Sequence, residues 1–317
     1  MRAPTLDEIR AARERIADLA VRTPLVRLPD AGGPEVWLKL ENLQPIGAFK
    51  LRGAGNRMRR LGRDALAAGV CTASAGNMAQ GVAWCARELG VSCRVIVPDH
   101  APAAKTAAVE ALGAVVIRVP FEAWWNVLVT HDPGDVPGAF VHPFEDVDVM
   151  AGNGTIGIEI LEDLPGVEVV IVPYGGGGLS CGIAAALRPL RPSCRILGAE
   201  VETAAPLRAS LEAGEPRAVA YRASFVDGIG GRGLLPAMWP LVRQLLDGAI
   251  VVSLPQVADA VRRLATRARV VAEGAGAASL AAALTGGAGR GPVVCVISGG
   301  NIDAGVLARI LAGETPA

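Results

Sequence analysis

The feature that most constrains the fold of this chain is the regular alternation of short apolar runs with alanine-rich segments of helical spacing. Strands that alternate with helices form parallel βαβ units, so the pattern predicts an α/β fold. The strand runs are almost wholly apolar, which is typical of strands buried on both faces. The predicted strands are residues 35–40, 70–73, 93–97, 114–119, 168–172, 195–199, 249–252 and 292–297. The predicted helices are residues 6–21, 80–89, 103–112, 155–164, 179–187, 256–267 and 275–284.

The size and charge of the chain exclude several classes of protein. Its 317 residues are enough for one large domain or two ordinary ones, and 51% hydrophobic with 20% charged residues is typical of a soluble globular protein. Basic and acidic residues balance at 31 each, and no concentrated basic face suggests a nucleic-acid partner. The arginine-rich stretch at residues 52–63 is interpreted as the solvated face of one helix.

Two further features bear on location and metal binding. No segment reaches the ~18 uninterrupted apolar residues that a membrane span needs, and charged residues occupy the N-terminus where a signal peptide would be apolar. The six cysteines are scattered without CxxC pairs, which is typical of reduced thiols and argues against a zinc site. We therefore expect a cytoplasmic protein with no metal.

Three glycine-containing turns each follow a predicted strand. They are Ser74-Ala75-Gly76-Asn77, Gly175-Gly176-Gly177-Gly178 and Ser298-Gly299-Gly300-Asn301. In open parallel sheets ligands bind at the carboxyl ends of strands, where all three turns fall. Four successive glycines before a helix let backbone N–H groups converge on an anion, and the helix dipole adds to the attraction. The second turn is therefore interpreted as a phosphate cup, with a tight packing turn as the alternative.

Two common phosphate-binding motifs receive little support. A Walker A loop needs a lysine after its glycines, and none of the three lysines is so placed. The pattern GxGxxG occurs at residues 152–157 and 228–233, but neither copy lies between a convincing strand and a helix. A nicotinamide cofactor is therefore a weak alternative.

Only three of the 31 basic residues are lysines, namely Lys39, Lys50 and Lys105. Because arginine stays protonated, a lysine retained in such a chain is a candidate for chemistry that arginine cannot perform. Lys39 falls in a predicted strand close to Glu41, and Lys105 in a helix where we expect it to be exposed. Lys50 follows a turn of small residues and Phe49, a setting that can exclude water and lower its pKa. Lys50 is therefore the candidate Schiff-base lysine.

The segments Lys39-Leu40-Glu41-Asn42-Leu43-Gln44-Pro45 and Phe49-Lys50-Leu51-Arg52-Gly53-Ala54 resemble the lysine segment of the threonine dehydratase and serine racemase group. These are fold type II pyridoxal-phosphate enzymes. The three glycine turns and Val271-Ala272-Glu273-Gly274-Ala275-Gly276 follow in the family's order, and the resemblance covers nearly the whole chain. It implies a two-lobed α/β fold of open, twisted, mostly parallel sheets with helices on both faces. A large domain would comprise residues 1–50 and 151–317, and a small inserted one residues 51–150.

The resemblance also implies individual roles. Lys50 would carry pyridoxal 5'-phosphate as a Schiff base beside Phe49, Asn77 would bond the ring hydroxyl, and Ser298 the pyridine nitrogen. The phosphate cup would comprise Gly175, Gly176, Gly177, Gly178 and Leu179, and the substrate-binding segment Ser74, Ala75, Gly76 and Met78. A neutral serine does not hold the ring nitrogen protonated, so the cofactor is a milder electron sink, which favours elimination.

The chain departs from the family pattern at several positions. Met78 stands where the family usually has histidine and Ala48 where it often has serine, which predicts a more apolar substrate pocket unless the exchanges are neutral. At Ala75 the family itself divides, because the dehydratase branch often has alanine and the racemase branch has a serine that acts as a second base. At the family's divalent-cation site Glu200 is retained but Pro206 replaces the second acid, so we expect no hard cation there.

The sequence thus predicts deamination of a β-hydroxy amino acid, such as L-threonine or L-serine, to a 2-oxo acid and ammonia. The alternatives are β-elimination or β-replacement on another 3-substituted amino acid, serine racemisation, or a cofactor-binding protein that has lost catalysis. We expect a small-molecule amino-acid substrate, a homo-oligomer (dimer or tetramer), and no regulatory domain beyond Asn301.

Overall fold

The computed structural model describes residues 1–29, 35–289 and 291–317 and shows two sheets flanked by helices. Its strands are β1 Leu25–Arg27, β2 Val36–Lys39, β3 Val70–Ala73, β4 Cys93–Pro98, β5 Val115–Val119, β6 Ala139–Phe140, β7 Val169–Pro173, β8 Arg195–Val201, β9 Gly248–Val252 and β10 Val293–Val296. Its α-helices are α1 Leu6–Arg15, α2 Lys50–Ala65, α3 Asn77–Leu89, α4 Ala103–Glu110, α5 Phe121–Thr130, α6 Val147–Asp163, α7 Gly178–Leu190, α8 Pro206–Ala213, α9 Trp239–Leu245, α10 Leu254–Arg263, α11 Gly274–Leu284 and α12 Ala304–Leu311.

The larger sheet has the strand order β1-β2-β10-β7-β8-β9. Only β1 pairs antiparallel; the other pairs within this sheet are parallel. Every residue of β7 and of β10 is buried, as expected for parallel strands covered on both faces. Hydrophobic clusters that include residues of α10 and α11 on one side, and of α6 and α7 on the other, provide this cover.

The smaller sheet has the order β5-β4-β3-β6, and all its pairs are parallel. A third hydrophobic cluster packs α2 and α3 against it. These two sheets confirm the predicted α/β class with mostly parallel strands. The division into domains at residues 51 and 150 remains a prediction. Within the described residues, no helix combines the length and apolar character needed to span a bilayer.

The predicted elements are confirmed in type but several bounds differ. Helix α6 begins at Val147 rather than at residue 155, because the Asp146 side chain accepts N–H groups from its first turn. Helix α1 is capped by the Thr5 side chain and ends at Arg15 rather than at residue 21. Elements that the apolar pattern did not predict are α5, α8, α9, α12, β1 and β6.

The first GxGxxG motif lies inside α6 and serves helix packing. A Cβ atom added to Gly152 would lie 2.2 Å from the Arg52 carbonyl oxygen, and one added to Gly154 would lie 2.8 Å from that of Gly182. These glycines therefore let α2 and α7 approach α6 closely. They do not form a nucleotide-binding turn, so this motif gives no support to a nicotinamide cofactor.

Candidate active site

The four-glycine turn lies between the carboxyl end of β7 and the start of α7. Gly177 has φ +91°, and no side chain caps this helix. Because the first N–H groups of a helix have no acceptor within it, the turn offers unpaired donors. A Cβ atom on Gly176 would lie 2.3 Å from Cγ of Phe144, so that ring packs directly on the turn. Free N–H groups at the positive end of a helix are suited to an anion such as phosphate.

Lys50 is the first residue of α2, and its Nζ donates a hydrogen bond to the carbonyl oxygen of Pro143 at 3.0 Å. The same Nζ lies 5.1 Å from the centroid of the Phe49 ring. Burial lowers the pKa of Lys50 to about 8, although Glu273 opposes the shift. A substantial fraction of the amine is therefore uncharged at a mildly alkaline pH, as nucleophilic or basic chemistry requires.

The other two lysines are engaged in ion pairs. Lys39 is fully buried and pairs with Glu159 at 2.6 Å rather than with Glu41. Lys105 is half-buried, and it pairs with Asp227 in the segment between α8 and α9. The expectation that Lys105 is simply exposed was therefore wrong, because a tertiary contact covers part of its side chain.

A buried histidine fixes the loop that faces Lys50. Nδ1 of His142 accepts the N–H groups of Phe144 and Glu145 at 3.2 and 2.7 Å, and Nε2 donates to the carbonyl oxygen of Leu128 at 3.1 Å. Burial lowers the pKa of His142 to about 3, so it is neutral. His131 and Glu145 lie close enough to His142 for a shared metal ion, but both His142 nitrogens already have partners. We therefore interpret the cluster as a brace for this loop.

Asn77 begins α3 and is held by two side chains. Its Nδ2 donates to Oε1 of Glu273 at 2.8 Å, and its Oδ1 accepts a hydrogen bond from Nδ2 of Asn301 at 2.8 Å. Burial raises the pKa of Glu273 to about 7. Glu273 belongs to one of the family-like motifs but received no role from the sequence. The sequence does contain one signal for a role, because Glu273 is the only carboxylate in a segment of small apolar residues, 271–276.

The turn before α2 and the turn that contains Ser298 form one unit. The N–H of Phe49 donates to the Ser298 carbonyl oxygen at 3.0 Å, and Ala48 forms an antiparallel bridge with Gly299. Ser298 is 4% exposed. Helix α3 packs closely against the start of α2, because a Cβ atom on Gly81 would lie 3.1 Å from the Lys50 backbone. Contacts thus connect Lys50 to the Ser298 turn, to α3 and, through the Pro143–Phe144 loop, to the glycine turn.

The predicted substrate-binding segment falls into two parts. Ser74, Ala75 and Gly76 are half-buried, and Oγ of Ser74 accepts the N–H of Gly76 at 3.2 Å. Met78, in contrast, is 1% exposed and belongs to a hydrophobic cluster that also contains Ala48. The side chains of Met78 and Ala48 therefore lie in the core, and their contact with substrate remains a prediction. Leu179 is 6% exposed and packs in the cluster beneath the glycine turn.

Glu200 acts as a helix cap. Its two carboxylate oxygens accept the N–H groups of Leu207 and Arg208 at 2.7 and 2.8 Å, at the start of α8. Pro206 is the first residue of that helix. Burial raises the pKa of Glu200 to about 7. The residues present do not fit a divalent cation, because the retained carboxylate is committed to backbone donors and its expected partner is a proline.

A family model described as pyridoxal-phosphate dependent enzyme matches residues 16–299. The chain belongs to this family. This pyridoxal-phosphate dependent enzyme is 40% identical over 315 residues to L-threonine ammonia-lyase from Thermotoga maritima, covering 97% of this chain and 78% of that protein. The structure of maize serine racemase is similar with a TM-score of 0.90 and 32% identity, covering 98% of both chains. The processed form of threonine deaminase isoform 2 from Solanum lycopersicum has a TM-score of 0.85 and 30% identity, covering 98% of this chain and 95% of that one.

Proposed function

We propose that this enzyme converts a β-hydroxy amino acid, most simply L-threonine or L-serine, to a 2-oxo acid and ammonia. The observation that carries the proposal is a half-buried lysine of lowered pKa, Lys50, linked through Pro143 and Phe144 to a glycine turn with unpaired N–H groups. The names of the similar proteins, L-threonine ammonia-lyase and threonine deaminase, support the same reaction.

The residues of the site fit pyridoxal phosphate. The amine of Lys50 suits the aldehyde of the cofactor, and the Gly175–Gly178 turn suits its phosphate. Asn77 and Ser298 would contact the ring, and Phe49 would pack beside it. When bound, this cofactor supplies an electron sink that stabilises negative charge at the substrate Cα.

Lys50 would act as the base of the reaction. Its Nζ, in the uncharged form that burial favours, would accept the proton from the substrate Cα. The carbonyl oxygen of Pro143, which accepts a hydrogen bond from this Nζ, would then orient the resulting ammonium group. The turn from Ser74 to Gly76 would hold the substrate through the N–H group of Ala75, because those of Ser74 and Gly76 already have acceptors. Ala75 offers only a methyl group there, so it cannot return a proton to Cα.

Serine racemisation is the second candidate, favoured by the high TM-score with maize serine racemase. The two reactions are separated by incubating the holoenzyme with L-serine and measuring pyruvate, ammonia and D-serine by chiral chromatography. We expect pyruvate and ammonia in equal amounts with little D-serine. D-serine that forms as fast as pyruvate would contradict the lyase proposal, and no product from any 3-hydroxy amino acid would contradict both candidates.

The substrate side chain is tested with serine, threonine and 3-phenylserine. Because Ala48 and Met78 lie in the core, we expect kcat/KM for serine and threonine to exceed that for 3-phenylserine. A preference for 3-phenylserine would instead support the more apolar pocket that the sequence suggested.

We also propose a cytoplasmic homo-oligomer, either a dimer or a tetramer. All six cysteines are buried and free, which is typical of a reducing compartment. Analytical ultracentrifugation of the holoenzyme would measure the assembly, and a monomer at micromolar concentration would contradict it.

A further inference from the structure

We propose that Glu273 is a positioning residue that fixes the orientation of the Asn77 side-chain amide, so that Asn77 presents an N–H group to the cofactor. The inference rests on the proposed function, because it assumes that pyridoxal phosphate occupies the site next to Lys50. It assigns a role to a residue that the sequence motifs left without one.

The hydrogen bonds around Asn77 form a chain with a defined direction. At one end the backbone carbonyl oxygen of Ile46 accepts a hydrogen bond from Nδ2 of Asn301 at 2.9 Å. The same Nδ2 donates to Oδ1 of Asn77, and Nδ2 of Asn77 donates to Oε1 of Glu273. A carbonyl and an ionised carboxylate can only accept, so both ends of the chain impose the same direction. A flipped Asn77 would place its oxygen against the carboxylate.

The defined direction leaves one group of Asn77 available. Oδ1 is occupied by Asn301, and one Nδ2 hydrogen is occupied by Glu273. The second Nδ2 hydrogen can bond an acceptor on a ligand. The ring hydroxyl of pyridoxal phosphate, when ionised, is such an acceptor, and a donor at this point stabilises its negative charge.

The space for this carboxyl group depends on Gly299. A Cβ atom on Gly299 would lie 2.4 Å from Oε1 of Glu273, whereas one on Gly228 would lie at an ordinary contact distance of 3.5 Å from the same oxygen. The Glu273 N–H also donates to the Gly299 carbonyl oxygen at 3.1 Å. Backbone on two sides therefore restricts the carboxyl group to a position where it meets Asn77.

The charged groups around Glu273 affect how firmly it holds the amide. Burial and the nearby Asp227 raise its pKa to about 7, whereas Asn77, Lys105 and Lys50 act in the opposite direction. A protonated Glu273 can donate as well as accept, so it tolerates either orientation of Asn77. Only the ionised form imposes the single orientation.

The test compares Glu273→Gln and Glu273→Leu by the visible absorbance and the cofactor dissociation constant of the holoenzyme. Glutamine can still accept from Asn77, whereas leucine cannot, so we expect a loss of cofactor affinity of about tenfold or more in Glu273→Leu and a smaller loss in Glu273→Gln. The absorbance maximum should shift in the same order. Asn301→Leu attacks the same amide from its other side and should reproduce the shift, which keeps the test decisive if Glu273→Leu fails to fold.

Glu200→Leu is the matched control, because Glu200 is also a buried glutamate with a pKa raised to about 7 but it contacts the start of α8. It should lower the melting temperature and leave the absorbance unchanged. The inference is overturned if Glu200→Leu shifts the absorbance as much, if Glu273→Gln is as damaging as Glu273→Leu, or if none of the site variants changes the spectrum. The spectrum is independent of turnover, so absent lyase activity in the parent enzyme would contradict the proposed function alone.

Discussion

Lys50 and Arg52 lie two residues apart in the first turn of α2, and the protein surrounds their charges in opposite ways. Arg52 is 2% exposed and forms two-point ion pairs with Glu41 and with Glu159. Its guanidinium group also donates to Oγ1 of Thr155 at 2.9 Å and to the Val21 carbonyl oxygen at 3.0 Å. Lys50 has a neutral carbonyl oxygen as its hydrogen-bond acceptor.

The difference in partners gives opposite pKa shifts. Burial opposes the charge of Arg52, but Glu41 and Glu159 outweigh it and raise the pKa of Arg52. Arg52 and Lys39 likewise lower the pKa of Glu159 against the effect of burial. At Lys50 burial dominates and the pKa falls. A buried charge with sufficient partners is stable and inert, whereas one with too few partners moves toward its neutral, reactive form.

The partners of Arg52 also explain the sequence motif at residues 39–54. One buried hydrogen-bond network connects five polar residues, namely Thr23, Lys39, Glu41, Gln44 and Arg52. The network ties α2 to α6 and to the segment after β2. We infer that it holds the turn that carries Lys50 in place.

The first prediction tests whether Lys50 binds the cofactor covalently and acts as the base. Lys50→Ala should abolish the visible absorbance of the covalently bound cofactor and lower turnover by about 1,000-fold or more, since it removes both nucleophile and base. Lys105→Ala should retain the covalent absorbance. The two variants are compared by absorbance and by 2-oxo acid release. If Lys50→Ala keeps its absorbance, another lysine carries the cofactor.

The second prediction addresses the network. Arg52→Met leaves Glu41 and Glu159 buried without their main partner, so we expect a loss of about 3–5 kcal/mol in the free energy of unfolding, measured by urea denaturation. Arg60→Met on the same helix is the control. Arg60 is half exposed and pairs with Asp148, so its loss should cost about 1 kcal/mol or less. Equal losses in the two variants would show that the buried network contributes no more to the free energy of unfolding than an exposed ion pair does.

The surroundings of Lys50 could be predicted from the sequence, whereas those of Arg52 could not. Small residues and an aromatic beside Lys50 are local features, and so are the glycine turn and the apolar runs of the parallel strands. Arg52 was interpreted as part of a solvated helix face, and this prediction is wrong because Arg52 is buried. Its partner Glu159 lies 107 residues away in the chain. No local pattern contains that contact. No role was predicted for Glu273 for the same reason, since its partner Asn77 is 196 residues away in the chain.

The third prediction extends the comparison to a buried acid. The pKa of Glu200 is raised from 4.5 to about 7, so the stability it contributes is fully present below pH 4.5 and is lost as the pH rises through 7. Glu200→Gln does not titrate. Between pH 5 and 8 the stability of this variant relative to the parent should therefore increase, by on the order of 3 kcal/mol. Chemical denaturation at both pH values measures the difference. A constant difference would mean that the two backbone donors fully offset the burial of the carboxylate.

The last prediction concerns metal at the same carboxylate and has the smallest expected effect. Backbone donors at the start of α8 supply to Glu200 what a cation would otherwise supply, namely positive charge facing both oxygens. Treatment of the holoenzyme with a chelator should therefore leave its melting temperature and its turnover nearly unchanged. A cation bound at this point would have to displace two N–H donors, and the displaced N–H of the buried Leu207 would then have no acceptor. A chelator-sensitive loss that magnesium or calcium restores in the parent enzyme, and that Glu200→Gln removes, would show that the carboxylate prefers the ion to the helix.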